Sequence, residues 1–229
     1  MNPRISQFAI TGGGFPQPVA PGEIISIYGL NLGLESPAGL SFDAEGRVAS
    51  ELQGTRVLFD GVPAPLLYVS NSQINVIVPY EVAGKQLTTI RVERNRLTNA
   101  AWGVPVISSV LGIFRVLNQD NSANSEANRT ARGSIIQIFA TGEGQTSPPG
   151  VTGSVTHADL RKPVLPVTVT IGGVEALVQY AGSVPESVAG LFQVNVLVPQ
   201  NLAINKFDMS SPIVLTVGSS STGSSILVQ

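Results

Sequence analysis

The chain has 229 residues and a net charge of −2, with 43% hydrophobic and only 12% charged residues. This slightly acidic balance excludes the basic surface that a nucleic-acid backbone requires, so we expect no nucleic-acid partner. The absence of cysteine excludes disulfides, thiolate metal sites and cysteine nucleophiles. The 24 glycines and 16 prolines favour many short strands joined by tight turns over long helices.

The sequence shows no targeting or membrane signal. No apolar run reaches the length of a membrane span, so we expect none. The amino terminus lacks a basic region followed by an apolar stretch, so no signal peptide is predicted. Either the protein stays inside the cell, or this chain is a piece of a longer one.

The first half of the chain carries four blocks with strand patterns. Residues 22–33 (GEIISIYGLNLG) contain a β-branched run bounded by glycine, and residues 57–69 contain an Asp-Gly pair that is typical of a tight hairpin. Residues 73–79 (QINVIVP) alternate apolar and polar and end in proline, and residues 88–99 form a fourth apolar run. No stretch keeps a helical period over three turns, which predicts an all-β fold.

The second half repeats these blocks in the same order. Block 133–144 corresponds to 22–33, 169–181 to 57–69, 193–199 to 73–79, and 213–224 to 88–99, and PRIS at 3–6 is paired with PVIS at 105–108. The spacing grows before the third pair because of extra residues at 182–190. This order predicts an internal duplication, and we place the seam so that the two copies are residues 1–107 and 108–229. Each copy has roughly 110 residues and about seven short strands, typical of an immunoglobulin-like β-sandwich.

Paired positions of the two copies carry structural predictions. Gly22 and Gly133 open equivalent strands, and Pro79 and Pro199 end them because proline removes a backbone donor. In the QINVIVP block and its copy the alternate apolar residues face the core, which places Asn75 and Asn195 on the opposite face. Their amides either tie down a neighbouring loop or bulge, or lie solvated on an outer face.

These same blocks resemble a known family. PGEIISIYGLNLG (21–33), VLFDGVPA (57–64) and INVIVP (74–79) resemble the IPT/TIG branch of immunoglobulin-like domains. The chain as a whole is similar to a module at the carboxyl end of predicted exported acidobacterial proteins. The resemblance implies two tandem β-sandwiches attached to larger secreted or cell-surface proteins, and it implies little about activity.

Candidate catalytic and metal-binding residues form no convincing constellation. His157 is the sole histidine, with Asp159 nearby, and no nucleophile motif accompanies it. A pair of carboxylates could act as catalytic acid and base, and the candidates include Glu23 and Glu143, but most of the candidates are expected in turns or on polar strand faces and they form no constellation. The stretch 118–124 alternates oxygen donors as a calcium loop does, but it lacks the glycine and final glutamate of such a loop, so local side-chain turns are the favoured interpretation. We therefore predict no catalytic residue, no metal and no cofactor.

Aromatic residues are the remaining candidates for ligand contact. Trp102 and Tyr80 are predicted either to bind a ligand or to pack between the two copies, and interdomain packing is favoured for Trp102. Five further aromatics lie within strand patterns and are expected in the core: Phe59, Tyr68, Phe139, Tyr180 and Phe192. Residues 141–165 are expected to form the largest surface loop of the second copy.

Together these observations predict a non-catalytic, exported tandem module. It would serve as a spacer, adhesion or assembly element of a larger surface or secreted protein, with the other domains of that protein, surface proteins or polysaccharide as partners. The alternative is a carbohydrate-binding accessory module that tethers an enzyme to polysaccharide. A short seam at residues 103–108 with little glycine or serine predicts a semi-rigid rod.

Overall fold

The computed structural model describes residues 2–9, 17–202, 204–205 and 207–229. The chain is all-β and forms two tandem immunoglobulin-like β-sandwiches, as the sequence predicts. In the part of the chain that the structure describes, no helix has the length and apolar character needed to cross a membrane.

The first sandwich consists of two sheets. One has the strand order β1-β2-β8-β7-β3, and the other has the order β10-β9-β5-β4, with β11 paired to β9 and β6 to β5. The strands are β1 Arg4–Ala9, β2 Ile24–Leu30, β3 Ala38–Gly39, β4 Glu51–Leu52, β5 Thr55–Phe59, β6 Val62–Pro63, β7 Leu66–Val69, β8 Gln73–Ile77, β9 Leu87–Arg94, β10 Leu97–Thr98 and β11 Trp102–Pro105. A short 3-10 helix, Tyr80–Val82, follows β8.

The second sandwich repeats this plan with the orders β12-β13-β21-β19 and β18-β17-β22-β23. Two small ribbons, β14-β16 and β15-β20, are added to it. The strands are β12 Gly112–Asn118, β13 Ile135–Thr141, β14 Thr146–Ser147, β15 Val155–Thr156, β16 Lys162–Pro163, β17 Val167–Ile171, β18 Val174–Ala176, β19 Val178–Ser183, β20 Ser187–Val188, β21 Phe192–Leu197, β22 Ser210–Val217 and β23 Ser220–Leu227.

Each sandwich has its own hydrophobic core between its two sheets. The alternation of β2 buries Ile25 and Ile27, and the opposite sheet contributes Phe59. Ile138 of β13 and Ile171 of β17 take the corresponding places in the second core. Burial of these alternating side chains holds the two sheets of each sandwich together.

The duplication extends to the irregularities of the sheets. The pairing of β1 with β2 is interrupted by a bulge after Ile5, and the pairing of β12 with β13 by one after Ile113. A second bulge lies at Leu66 to Tyr68 of β7 and recurs at Val178 to Tyr180 of β19. Because bulges fix strand register and twist, their recurrence means that the two copies share their sheet geometry in detail.

One detail of the predicted repeat is wrong. The sequence pairs PVIS at 105–108 with PRIS at 3–6, but the amide of Val106 donates to the Gln86 carbonyl and that of Ile107 to the Val19 carbonyl, both in the first sandwich. The strand equivalent to β1 is β12, so Ile5 corresponds to Ile113. The chain reaches the second sandwich at Ser109, whose hydroxyl donates to the Val217 carbonyl at 2.8 Å.

Candidate functional site

The two insertions of the second sandwich lie against the first sandwich. The first insertion runs from residue 141, the last of β13, to residue 153, and the second, residues 184–190, precedes β21. The β15-β20 ribbon joins them, and the Ala189 amide donates to the Ser154 carbonyl at 2.9 Å. Residues 141–144, Gly153 and residues 189–190 are buried. The expectation that 141–165 forms a surface loop is therefore wrong for these residues. We call their contact with residues 22–24, Val48 and residues 80–81 the joint.

Backbone amides of the first sandwich donate across the joint. The Ile24 amide donates to Thr141 Oγ1 at 2.8 Å, and the Val48 amide to the Gly153 carbonyl at 2.8 Å. Thr152 accepts from the Tyr80 amide at 3.0 Å and donates to Glu81 at 2.6 Å. Burying a backbone amide costs free energy unless the amide is hydrogen-bonded. The insertions provide these hydrogen bonds for the first sandwich.

Tyr80 fills the centre of the joint. Its side chain is only 5% exposed, and its ring is packed against two glycines, Gly22 and Gly150. Gly22 has φ +75°, and a Cβ at that position would lie 2.5 Å from the ring. Burial, and then the nearby Glu143 carboxyl, raise the pKa of Tyr80 above its ordinary value. Glycine is therefore needed at residue 22 both for its backbone conformation and for the space it leaves.

Two carboxyl groups are buried in the joint, which the sequence did not predict. Glu23 is 0% exposed; its Oε2 accepts from the Ala20 amide at 2.8 Å, and its Oε1 has no hydrogen-bond partner. Glu143 is 3% exposed, and its Oε2 has no partner. Burial raises the pKa of Glu23 well above its ordinary value against the opposing effect of the Ala20 amide, and the charge of Glu143 adds to the rise. Burial likewise raises the pKa of Glu143 to about 8.

Comparison of the two copies could have drawn attention to Glu143, although not to Glu23, whose counterpart is Ser134. In the repeat alignment Glu143 stands where the first sandwich has Leu32, a fully buried core residue. A glutamate at a position that is apolar in the other copy signals either a surface change or a buried charge. Only the fold of the insertions decides between the two.

A second feature lies on the outer face of the β2-β8-β7 part of the first sandwich. Tyr28 stands opposite Gln73, and Asn75 stands opposite Tyr68 at the β7 bulge. Asn75 accepts from Gln73 Nε2 at 2.8 Å and from the hydroxyl of Ser26 at 2.9 Å. This places Asn75 on the predicted face; whether it ties down the bulge stays a prediction.

The second sandwich repeats this arrangement with different residues. Phe139 stands opposite Gln193, and Asn195 stands opposite Tyr180 at the β19 bulge. Gln193 Nε2 donates to Asn195 Oδ1 at 2.8 Å. We call the two sets of two aromatics and two amides the outer rows; they comprise Tyr28, Tyr68, Gln73 and Asn75, and Phe139, Tyr180, Gln193 and Asn195.

The outer rows correct part of the expected core. Phe59 and Phe192 are fully buried as predicted. Tyr68, Phe139 and Tyr180 are only partly buried and lie on the face away from the core. The expectation failed for these three because a strand pattern alone does not say which of its two faces an aromatic occupies.

The remaining predicted residues are placed as follows. Trp102 is partly buried, pairs with Ile90 in the sheet and packs on the first core; its predicted ligand or interdomain role stays a prediction. The Gly22 amide donates to the Val78 carbonyl, and the Gly133 amide donates to the Val198 carbonyl. Pro79 is the N-cap residue before the 3-10 helix, and Pro199 follows β21.

The candidates for chemistry lie apart from the joint and the outer rows. His157 is exposed, with its Nδ1 3.2 Å from the carboxylate of Glu186, and the predicted neighbour Asp159 instead pairs with Arg161 at 2.7 Å. In the 118–128 stretch, Asn118 accepts from Asn124 at 3.0 Å and donates to the Asn128 carbonyl at 2.9 Å, which is a network of local side-chain bonds. Among the described residues no group of three or more potential metal ligands is found.

Comparisons with known proteins agree with this architecture. The sequence model of the IPT/TIG domain matches residues 13–102, which supports an immunoglobulin-like module in the first half of the chain. The resemblance to acidobacterial carboxyl-terminal modules stays a prediction. No curated protein matches the chain.

Three solved structures show distant similarity over nearly the whole chain. The surface glycan-binding protein SGBP-B of the Bacteroides ovatus mixed-linkage glucan utilization locus, solved with a mixed-linkage heptasaccharide, has 14% identity and a TM-score of 0.38 over 96% of this chain and 44% of its own. PbSGBP-B from Prevotella bryantii has 14% identity and a TM-score of 0.31, with coverages of 98% and 41%. Domains 5–6 of the S-layer protein SbsC have 10% identity and a TM-score of 0.29, with coverages of 99% and 98%.

The chain thus spans less than half the length of the two glycan-binding proteins. At these identities and TM-scores, the likeness carries no argument about what this chain binds.

Proposed function

We propose that the chain is a non-catalytic, extracellular accessory module whose two sandwiches, residues 1–107 and 108–229, act as a fixed spacer within a larger surface or secreted protein. The observation that carries the proposal is the joint. Hydrogen bonds from Ile24, Val48 and Tyr80 cross it, and Tyr80 is buried between glycines of both sandwiches. A spacer needs such contacts, because a connection without them would let the sandwiches reorient freely.

The burial of the Glu23 and Glu143 carboxyls supports a non-catalytic role. An acid and base acting on a substrate must lie within hydrogen-bond reach of it. Glu23 and Glu143 are enclosed by the joint, and the apolar groove of about 310 Å³ beside it is lined by other residues, including Pro21, Ile107 and Gln145. As partners of such a spacer we propose the other domains of the parent protein and the surface proteins around it.

The distance between the two sandwiches tests this proposal. Because the chain has no cysteine, spin labels can be placed uniquely with Arg91→Cys on β9 and Glu175→Cys on β18, both exposed. We expect a narrow distance distribution by double electron–electron resonance, comparable to that of a label pair on the two different sheets of the first sandwich (Arg4→Cys on β1 with Arg91→Cys on β9). Thr141→Val, which removes the acceptor of the Ile24 amide, should broaden the inter-sandwich distribution alone. A broad distribution in the unmodified joint would contradict the proposal.

Carbohydrate binding is a second candidate function, supported by the outer rows. Saccharide sites combine aromatic rings, which stack on sugar rings, with a few amides that bond hydroxyls. The row of the first sandwich is the stronger candidate because Tyr28 is 36% exposed. In the second sandwich, the guanidinium of Arg115 lies over the Phe139 ring, 5.1 Å from its centroid.

Binding to insoluble polysaccharides and to a soluble glycan array tests this second candidate. We expect saturable binding that Tyr28→Ala and Tyr68→Ala abolish without loss of folding. Trp102→Ala serves as comparison: lost affinity with an unchanged fold would place the site at Trp102 instead, and lost stability alone would support packing. Absence of binding by folded protein across the panel contradicts the second candidate and leaves the spacer proposal standing.

A further inference from the structure

The joint encloses two acidic groups without enclosing a cation bonded to either. Among the described residues no ion pair includes Glu23 or Glu143, and each carboxyl has one oxygen without a hydrogen-bond partner. Moving an ionised carboxylate out of water without a partner costs roughly several kcal/mol of free energy. A carboxyl buried in this way therefore takes up a proton. The two groups also repel each other when both are charged.

The other titratable groups around the joint do not neutralise this pair. Tyr80 is neutral and buried, and Glu81 adds a further acid at the exposed rim through its bond to Thr152. Arg161 acts on Tyr80; its Nη2 is bonded to Asp159 at 2.7 Å and its Nε donates to the Pro149 carbonyl, while its buried Nη1 has no hydrogen-bond partner. Two further cations lie at the edges of the joint: Arg47, beside Gly153, pairs with Asp43 and Glu45, and Lys85 pairs with Asp60. Among the described residues none of these cations pairs with Glu23 or Glu143, so the closed joint favours neutral carboxyls.

We propose that the joint is a proton-dependent latch: the two sandwiches stay docked while Glu23 and Glu143 are protonated, and loss of these protons releases residues 141–153 from the first sandwich. The inference goes beyond a fixed spacer, although it rests on the same joint. It makes the rigidity of the module depend on the pH of its surroundings.

The direction of the effect follows from proton linkage. In an open joint both carboxyls meet water and titrate near their ordinary pKa of 4.5, whereas closure raises the pKa of Glu143 to about 8. The closed joint therefore binds more protons between these values. Docking is strongest below about pH 4.5, weakens as pH rises toward about 8, and changes little beyond the pKa of the closed state.

Amide hydrogen exchange of the whole chain, followed by NMR, measures this opening directly. The reporters are the amides of Ile24, Val48 and Tyr80, whose hydrogen bonds cross the joint. The references are the amides of Ala64 and Gly172, whose bonds stay within one sandwich. After correction for intrinsic exchange, we expect reporter protection to fall about tenfold per pH unit between pH 5 and 8 for each proton released, and reference protection to stay nearly constant.

Variants identify the groups responsible. Glu143→Gln keeps the size and hydrogen bonding of the side chain without its charge, and should flatten the pH dependence of the reporters. Glu23→Gln should reduce it independently, which keeps the test valid if one variant fails to fold. Glu126→Gln, an exposed acid of the second sandwich, is the matched control and should keep the wild-type slope.

Two outcomes would overturn the latch. One is reporter protection that does not change between pH 5 and 8 in the wild-type chain; the other is an unchanged slope in both glutamine variants. These failures differ from failure of the spacer proposal. Spin-label distances that are narrow at every pH contradict only the latch, and distances that are broad at every pH contradict the spacer.

Discussion

The segments that follow β2 and β13 begin at equivalent positions of the repeat but pack against different parts of the molecule. In the first sandwich, Leu32 turns into the core, its amide donates to the Asn71 carbonyl at 3.0 Å, and its carbonyl accepts from Thr55 at 3.1 Å. In the second, Glu143 occupies the corresponding place and is buried in the joint instead. The comparison teaches that the shared strands preserve each core, whereas insertions into one copy supply the contact between the copies.

The residues after Pro79 and Pro199 show the same division. Tyr80 packs its ring over Gly22 and reaches the other sandwich. Gln200, its counterpart, places its amide over Gly133 and remains exposed. The equivalent glycines thus have different neighbours: an aromatic ring covers Gly22, where the sandwiches meet, and a polar side chain covers Gly133, where the surface faces water.

The largest effects should come from the equivalent core residues Ile27 and Ile138, which are both fully buried. Truncation to alanine leaves a cavity at each site, so Ile27→Ala and Ile138→Ala should each lower the free energy of unfolding by about 2 to 5 kcal/mol. Because the joint couples the sandwiches, we expect a single denaturant transition that shifts in both variants. Leu177→Ala, at an exposed position, should change stability by no more than about 0.5 kcal/mol. Two separate transitions, each shifted by one variant only, would show that the sandwiches unfold independently.

A smaller effect should come from filling the space beside Tyr80. A Cβ at Gly150 would overlap the Tyr80 ring, and Gly22 on the first sandwich restricts the ring's retreat. Gly150→Ala should therefore destabilise the protein by about 1 to 3 kcal/mol and reduce protection of the Tyr80 amide. Gly39→Ala is the matched control because no atom lies within 4 Å of its added Cβ. Equal thermal stability of the two variants would mean that the joint tolerates displacement of Tyr80.

Much of the fold could be predicted because it depends on local sequence patterns that occur in both copies of the repeat. The alternation in β8 and its copy β21 fixes which side chains face the core, and Asp60-Gly61 fixes the turn between β5 and β6. The match of PRIS with PVIS failed because four residues carry too little information to fix a strand's partner. The hydrogen bond from the Ile107 amide to the Val19 carbonyl joins residues that are far apart in sequence, so it depends on the tertiary fold.

The joint could not be predicted from the same patterns. Its residues come from segments far apart in sequence, such as Glu23 and Glu143, and their meeting depends on how the 141–153 insertion folds. Beyond residue 144, where the match with the first copy ends, the insertion has neither a strand period nor a counterpart in the first copy. Its composition suggested a surface loop, and only its contacts with the first sandwich explain its burial.

The smallest predicted effect distinguishes the two outer rows and decides what the paired asparagines do. Asn75 accepts two side-chain hydrogen bonds, from Ser26 and Gln73, whereas Asn195 accepts one from Gln193. Since all of these groups are partly exposed, water replaces part of each lost bond, and Asn75→Ala should cost about 1 to 1.5 kcal/mol and Asn195→Ala about 0.5 to 1 kcal/mol.

Chemical denaturation of both variants beside Gln179→Ala, an exposed amide on β19, measures the difference. If both asparagine variants match this control, the asparagines are solvated outer-face residues. If only Asn75→Ala lowers the free energy of unfolding more than the control does, the side-chain hydrogen bonds of Asn75 stabilise the first sandwich more than those of Asn195 stabilise the second. The two asparagines would then occupy equivalent positions but differ in their contribution to stability.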